Sequence, residues 1–143
     1  MIVKPIMIRL FNTNDILDIN AIYNLHNWTR YLEDDKAFEA MFTHSLATYV
    51  YEENNTIKAL VRVIGDNTHI LYIQDLLVHP TFLRQGIGTQ LMSMLLKTYA
   101  HVRQKVLITD KTDTRSRAFY ESVGFKHVDK VNLTCYVHFS SSL

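Results

Sequence analysis

The chain has a single cysteine, Cys135. An internal disulfide and a cysteine-cluster zinc site are therefore excluded. It also lacks an excess of charge: 15 Lys and Arg oppose 14 Asp and Glu, a formal net charge of +1. That balance argues against a general binder of nucleic-acid phosphates and against an acidic interaction tail. Long apolar runs are missing too. The segment from Met1 to Phe11 is broken by Lys4, Pro5 and Arg9, so it reads as neither a secretory signal nor a membrane span. The expectation is a cytoplasmic protein with no nucleic-acid or membrane partner. The seven histidines are scattered, with no pair at metal-ligand spacing, and no metal is expected. Glycine and proline are scarce, at four and two residues, so the position of each glycine carries information.

What is present is apolar: 48% of 143 residues are hydrophobic, enough for one domain, 1–143, with a real core. No repeat, linker or low-complexity stretch is visible. Ile6 to Phe11 reads as a strand. Asn14 or Asp15 can cap a helix whose apolar stripe runs Ile16, Ile19, Ile22, Tyr23, His26. After a polar, aromatic loop from Asn27 to Asp35, Lys36 to Ser45 reads as a second helix. Strands follow at Leu46 to Glu52, Thr56 to Ile64 and Ile70 to Val78, separated by turn residues at Glu53-Asn54-Asn55 and Gly65-Asp66-Asn67-Thr68. A helix follows Gly86-Ile87-Gly88, with Ile87, Leu91, Met94, Leu95 and Thr98 on its core face. Gln104 to Thr109 is the next strand. Thr112 or Asp113 caps a helix from Thr114 to Val123, Gly124 suits its C′ position, and Phe125 packs back. Phe125 to Val128 and Leu133 to Phe139 are expected as closing strands, with Cys135 as a small buried hydrophobe. The pattern describes a mixed α/β sheet with helices on both faces.

The connection after Val78 is the most informative stretch. A buried strand runs through His79-Pro80 into Gly86-Ile87-Gly88 and directly into a helix. Free N–H groups and the positive dipole end make such a helix start an anion site, and glycines let a ligand approach the backbone. Arg84 adds a guanidinium. A P-loop would need a Gly-Lys-Ser/Thr ending, which is absent. A dinucleotide fingerprint would need a third small residue where Leu91 stands, although Asp110 does follow the next strand. A plain strand–helix connection without ligand is the remaining alternative.

Context narrows the choice. Leu76-Leu77-Val78-His79-Pro80, then Leu83-Arg84-Gln85-Gly86-Ile87-Gly88 and an amphipathic helix, resembles motif A of the GNAT N-acetyltransferase superfamily. Ala118-Phe119-Tyr120-Glu121-Ser122-Val123-Gly124-Phe125 resembles that family's motif B. The resemblance covers Thr48 to His127. The chain departs from the family pattern at Leu83, where Gln or Arg is usual, and at Asp113, where Asn is frequent.

The resemblance implies an α/β GNAT fold: one mixed, mostly antiparallel sheet of six to seven strands, helices on both faces, and a splayed central strand pair. It implies acetyl-CoA as co-substrate and transfer of its acetyl group to a primary amine. Backbone groups of Leu76, Leu77 and Val78 would pair with the pantetheine, and an N–H of Leu77 or Val78 would polarise the thioester carbonyl. Arg84, Gln85, Gly86, Ile87, Gly88 and Thr89 would hold the pyrophosphate, with Asp113 and Tyr120 as further cofactor contacts. Tyr120 would protonate the leaving thiol. Asp75, in an otherwise apolar strand, is expected as general base, the alternative being a carboxylate paired with Arg62. Trp28 and Tyr31 would line the acceptor pocket, the alternative being lid packing, and Glu33, Asp34 and Asp35 either draw a cationic amine or simply start a helix. The acceptor is expected to be a small molecule, and a homodimer stays open. A catalytically silent acyl-CoA sensor of the same fold is the rival reading.

Overall fold

The computed structural model of the protein describes residues 5–140. The expectation for the extreme N-terminus therefore falls partly on residues outside those described. The chain forms two compact units, Met1–Ile108 and Thr109–Leu143.

The first unit holds the sheet. Its elements are β1 (Met7–Leu10), α1 (Ile16–Leu25), α2 (Asp35–Thr43), β2 (Ala47–Glu53), β3 (Thr56–Gly65), β4 (Ile70–Val78), α3 (Ile87–Thr98) and β5 (Gln104–Leu107). The strands stand in the order β1-β2-β3-β4-β5. The first four are mutually antiparallel, and β5 joins β4 in parallel. Local chemistry explains the hairpins. Asn54 and Asn55 both adopt positive φ, 53° and 62°, the combination a two-residue type I′ turn demands. Between β3 and β4, the Asp66 carboxylate accepts from the backbone N–H groups of Thr68, His69 and Ile70. Those three amides hold its pKa down to about 2. Gly65 is required beside that turn: its φ is 150°, and a Cβ there would overlap the Ile70 carbonyl oxygen.

The decisive irregularity lies in β4. Arg62 pairs with Asp75, but Val63 pairs with Ile73, so Gln74 is an extra residue. This bulge changes the phase of the strand. By register, Leu71, Ile73, Leu76 and Val78 share one face with Ala59, Val61 and Val63. Asp75 and Leu77 share the other with Leu60 and Arg62. Helices α1 and α2 cover the second face, where Ile19, Ile22, Tyr23, Phe38 and Phe42 pack with Val50, Leu60 and Leu77. Helix α3 covers the opposite face with Ile87, Leu91, Met92 and Leu95, all buried. Met92 thus joins the core face while Thr98 is exposed. The start of α1 is tied to the sheet by Arg9, whose guanidinium forks onto Asp15 at 2.8 and 2.9 Å and reaches Glu52 at 3.2 Å.

The second unit contains α4 (Thr114–Ser122) and a 3-10 turn at Val128–Val131. Helix α4 ends as the sequence suggests. Gly124 takes φ 102°, its N–H donates to Glu121, and the Phe125 N–H donates to Tyr120. The two closing strands do not form. Among the described residues the sheet has five strands rather than six to seven, and β5 is an edge. The His127 ring accepts from the Asp129 N–H and starts the 3-10 turn, and Asn132 then turns the chain with φ 59°. Residues 133–139 belong to no helix or strand, and Cys135 is exposed rather than buried. β-branched and aromatic composition favours a strand only where a neighbouring strand completes the ladder.

Candidate functional site

The turn between β4 and α3 presents backbone N–H groups at the start of a helix. His79 accepts from the Thr81 N–H and starts a short 3-10 turn at Pro80–Phe82. Arg84 then takes φ 65° and Gly86 φ 77°, two left-handed residues that swing the chain into the helix. Gly86 caps α3 without a side chain, and the first intrahelical bond is the one from the Gln90 N–H to its carbonyl, 3.0 Å. The N–H groups of Ile87, Gly88 and Thr89 therefore have no partner within the helix. Arg84 and Gln85 are exposed beside them.

The edge of β4 leads into this turn. Parallel pairing with β5 runs only from Ile70↔Gln104 to Ile73↔Leu107. From Gln74 to Val78 that side has no strand beside it among the described residues. Hydrogen-bond alternation shows which groups face the gap. The His79 N–H donates to the Lys58 carbonyl at 2.7 Å. The hydrogen-bonded pairs with β3 are therefore Leu77↔Leu60 and Asp75↔Arg62, while Leu76 and Val78 turn their N–H and C=O groups away from β3. Leu77 turns its N–H toward Leu60 in the ladder, and its side chain is buried in the core. Leu76, through its N–H and carbonyl, and Val78, through its N–H, face the gap.

Over the same end of β4 lies an aromatic and charged cluster. Helix α1 closes on Asn27, φ 59°, with the Asn27 N–H on the Asn24 carbonyl and the Trp28 N–H on the Tyr23 carbonyl. This Schellman ending folds the Trp28 ring back against Tyr23, 6.1 Å between centroids. Trp28 stacks on Tyr31 at 6.1 Å and 29°, and is 38% exposed. Tyr31 is half-buried and packs on the α1–α2 core, so it is a lid residue as well as a neighbour of Trp28.

Asp75 sits beneath them. Its side chain is fully buried, and its carboxylate accepts from Arg62 Nε at 2.7 Å, the Tyr23 hydroxyl at 2.6 Å and the Tyr31 hydroxyl at 3.2 Å. Gln74 donates to the Tyr31 hydroxyl at 3.0 Å. Burial opposes the charge on Arg62, but the Asp75 carboxylate outweighs it and holds the guanidinium firmly protonated. Burial and the same carboxylate push both phenols up, so Tyr23 and Tyr31 stay neutral donors. Of the two readings of Asp75, the pairing with Arg62 is the observed one. The carboxylate is buried away from solvent, and besides Arg62 it accepts from two tyrosines. Asp34 is likewise a helix cap, accepting from Lys36 and Ala37 at the start of α2.

In the second unit, Asp113 caps α4: it accepts from the Ser116 N–H at 3.1 Å and the Ser116 hydroxyl at 2.7 Å, and these bonds lower its pKa. Tyr120 packs against Phe119 and Phe125, and burial, then the charge of Asp113, push its phenol up to about 12.

Two features escaped the sequence. One is the bulge at Gln74. The other is His26, whose Nε2 lies 2.6 Å from the Val78 carbonyl oxygen. Its position on the apolar stripe of α1, one residue before the left-handed Asn27, was a signal that it faces the sheet.

The comparisons agree with this architecture. The model of the acetyltransferase (GNAT) family matches residues 13–125. A GNAT-family acetyltransferase from Streptococcus pneumoniae is 26% identical, with a TM-score of 0.78 over 96% of this chain and 100% of that one. An aminoglycoside acetyltransferase from an uncultured soil metagenomic sample, solved with sisomicin, gives 19% identity and a TM-score of 0.70 over 96% of each chain. The PaiA N-acetyltransferase of Thermoplasma acidophilum, solved with coenzyme A, gives 14% identity and a TM-score of 0.68 over 86% of this chain and 91% of that one. At their identities the last two speak for the fold alone. No curated protein sequence matches the chain significantly. The family match runs through both units and most of the length, and the chain belongs to the GNAT acetyltransferase family.

Proposed function

We propose that the protein transfers the acetyl group of acetyl-CoA to the primary amine of a small molecule with an apolar or aromatic body. The observation that carries this reading is the unpaired edge of β4 running into the uncapped start of α3. The residues present suit the co-substrate. Amides of Ile87, Gly88 and Thr89, with the Arg84 guanidinium, provide donors and positive charge for a pyrophosphate. The N–H and carbonyl of Leu76 and the N–H of Val78 offer an amide-bearing arm the bonds of an added strand, the Val78 carbonyl being held by His26. When bound, acetyl-CoA supplies an activated acyl group on a thiol leaving group.

The chain's own contributions follow. The Leu76 N–H, next but one to the bulge, donates to the carbonyl oxygen as it gains charge. Trp28 forms a wall for the acceptor's apolar body. Asp75 serves as a positioning residue: it holds Tyr31, and Tyr31 in turn stacks on Trp28. Tyr120, kept protonated by its raised pKa, is the proton donor to the departing sulfur, a role carried by its place in motif B. The chain acts as one domain, in keeping with a family match that crosses both units. One observation favours the silent-sensor reading: the best carboxylate near the site is already engaged.

Thiol release from acetyl-CoA across a panel of amines decides between them. Small arylalkylamines or polyamines should release CoA faster than peptides with free N-termini. With the best acceptor, Trp28→Ala should raise the acceptor KM and leave acetyl-CoA affinity unchanged. Binding of acetyl-CoA with no release by any amine would establish the sensor instead.

A further inference from the structure

If Asp75 is closed off, the amine needs another proton acceptor, and resting on the acetyltransferase reading above we propose that His26 fills that role through Nδ1. The geometry is specific. A carbonyl oxygen can only accept, so the ring nitrogen 2.6 Å from the Val78 oxygen must carry the hydrogen. In the neutral ring Nε2 is then the N–H, and Nδ1 keeps a bare lone pair. This is the arrangement by which a backbone carbonyl selects a tautomer and leaves the second nitrogen as a base.

The placement suits the task. The Val78 carbonyl faces the gap beside β4, on the same edge as the Leu76 N–H two residues away. Two residues of strand span about 7 Å, within reach of an imidazole acting through one water. The ring is half-buried and meets the Trp28 ring edge-on at 6.5 Å, so it borders the wall assigned to the acceptor. His26 is the C-cap residue of α1, and the Schellman bonds of Asn27 and Trp28 hold the backbone on its C-terminal side. Among the described residues no ion pair and no other hydrogen bond engages the ring.

The proton balance is simple. An alkylammonium loses one proton to Nδ1, breaking an N–H bond and freeing the nitrogen lone pair. That pair forms the bond to the acetyl carbon while the C–S bond breaks, its electrons leaving on sulfur. Tyr120 protonates that sulfur, the new amide nitrogen sheds a second proton that restores the Tyr120 hydroxyl, and the proton on Nδ1 passes to water.

The test separates a base from a mere cap on the Val78 carbonyl. His26→Gln keeps an N–H donor for that carbonyl but has no basic nitrogen. Its turnover with the best amine should fall by about 10²–10⁴-fold, with acetyl-CoA affinity and melting temperature unchanged. His26→Ala should lose turnover similarly, and added imidazole should restore it in proportion to its concentration. In the wild-type protein, ¹⁵N shifts of the ring should report Nε2–H with Nδ1 unprotonated, a readout that needs no variant. Near wild-type turnover of His26→Gln, a failure of imidazole to restore His26→Ala, or an Nδ1–H tautomer overturns the role of His26 while leaving the acetyltransferase reading intact. A wild-type protein that acetylates no amine overturns both.

Discussion

Asp75→Asn is expected to lower the stability of the protein by about 3–5 kcal/mol, the usual consequence of removing one partner from a buried ion pair. The reason is the guanidinium left behind. The Arg62 and Asp75 side chains are 6% and 0% exposed, so no water replaces the lost charge. Tyr23 also loses the ionised acceptor of its 2.6 Å bond. Arg62→Met should cost a comparable amount, because it strands the carboxylate instead. The double variant Arg62→Met/Asp75→Leu should be less destabilised than the sum, since neither charge remains. Urea denaturation measures all three. A catalytic base would behave differently: Asp75→Asn would then keep its stability and lose turnover. That outcome would return Asp75 to the chemistry and remove the case for its role in holding Tyr31.

Gly88→Val is expected to weaken acetyl-CoA binding by about 10- to 100-fold, without unfolding the protein. Gly88 is the second residue of α3, between the two amides that flank it at the uncapped helix start. A branched side chain there stands between the backbone and any pyrophosphate. Hydrogen bonds to charged groups contribute about 1.5–3 kcal/mol each, and about 1.4 kcal/mol is tenfold in affinity, so losing one such bond gives that range. Valine is no poorer a helix former than glycine, so α3 should persist. Calorimetric titration with acetyl-CoA reads the effect. Unchanged affinity in a folded variant would remove the pyrophosphate from this turn.

How far the sequence disclosed this arrangement differs from element to element. Strand β4 was legible to the residue, because an apolar, β-branched run ends at His79-Pro80. The end of α4 was legible because Gly124 and Phe125 carry the local chemistry of a helix terminus. Helix α3 was legible from the glycine turn before it and its apolar stripe, though not to the residue. Gln74 was not: a bulge exists only relative to a partner, and strand pairing is invisible in a single run of residues. The bulge in turn aims Asp75 at Arg62, Tyr23 and Tyr31, so the fate of Asp75 was undecidable from its own strand. Its pairing with Arg62 was one of two readings; the tyrosines, distant in sequence, were unforeseen. The closing strands failed for a related reason. Leu133 to Phe139 has strand composition, but composition supplies no neighbour to pair with.

Hydrogen exchange at three consecutive amides of β4 tests the account most directly. In the free protein, the Leu76 and Val78 N–H groups face the gap and should exchange fast, while the Leu77 N–H, in the ladder with Leu60, should exchange slowly. Saturation with acetyl-CoA should slow Leu76 and Val78 and leave Leu77 slow throughout. Amides at Leu76 and Val78 that are already protected in the free protein, or that exchange equally fast with acetyl-CoA bound, would contradict a co-substrate lying along the open edge of β4.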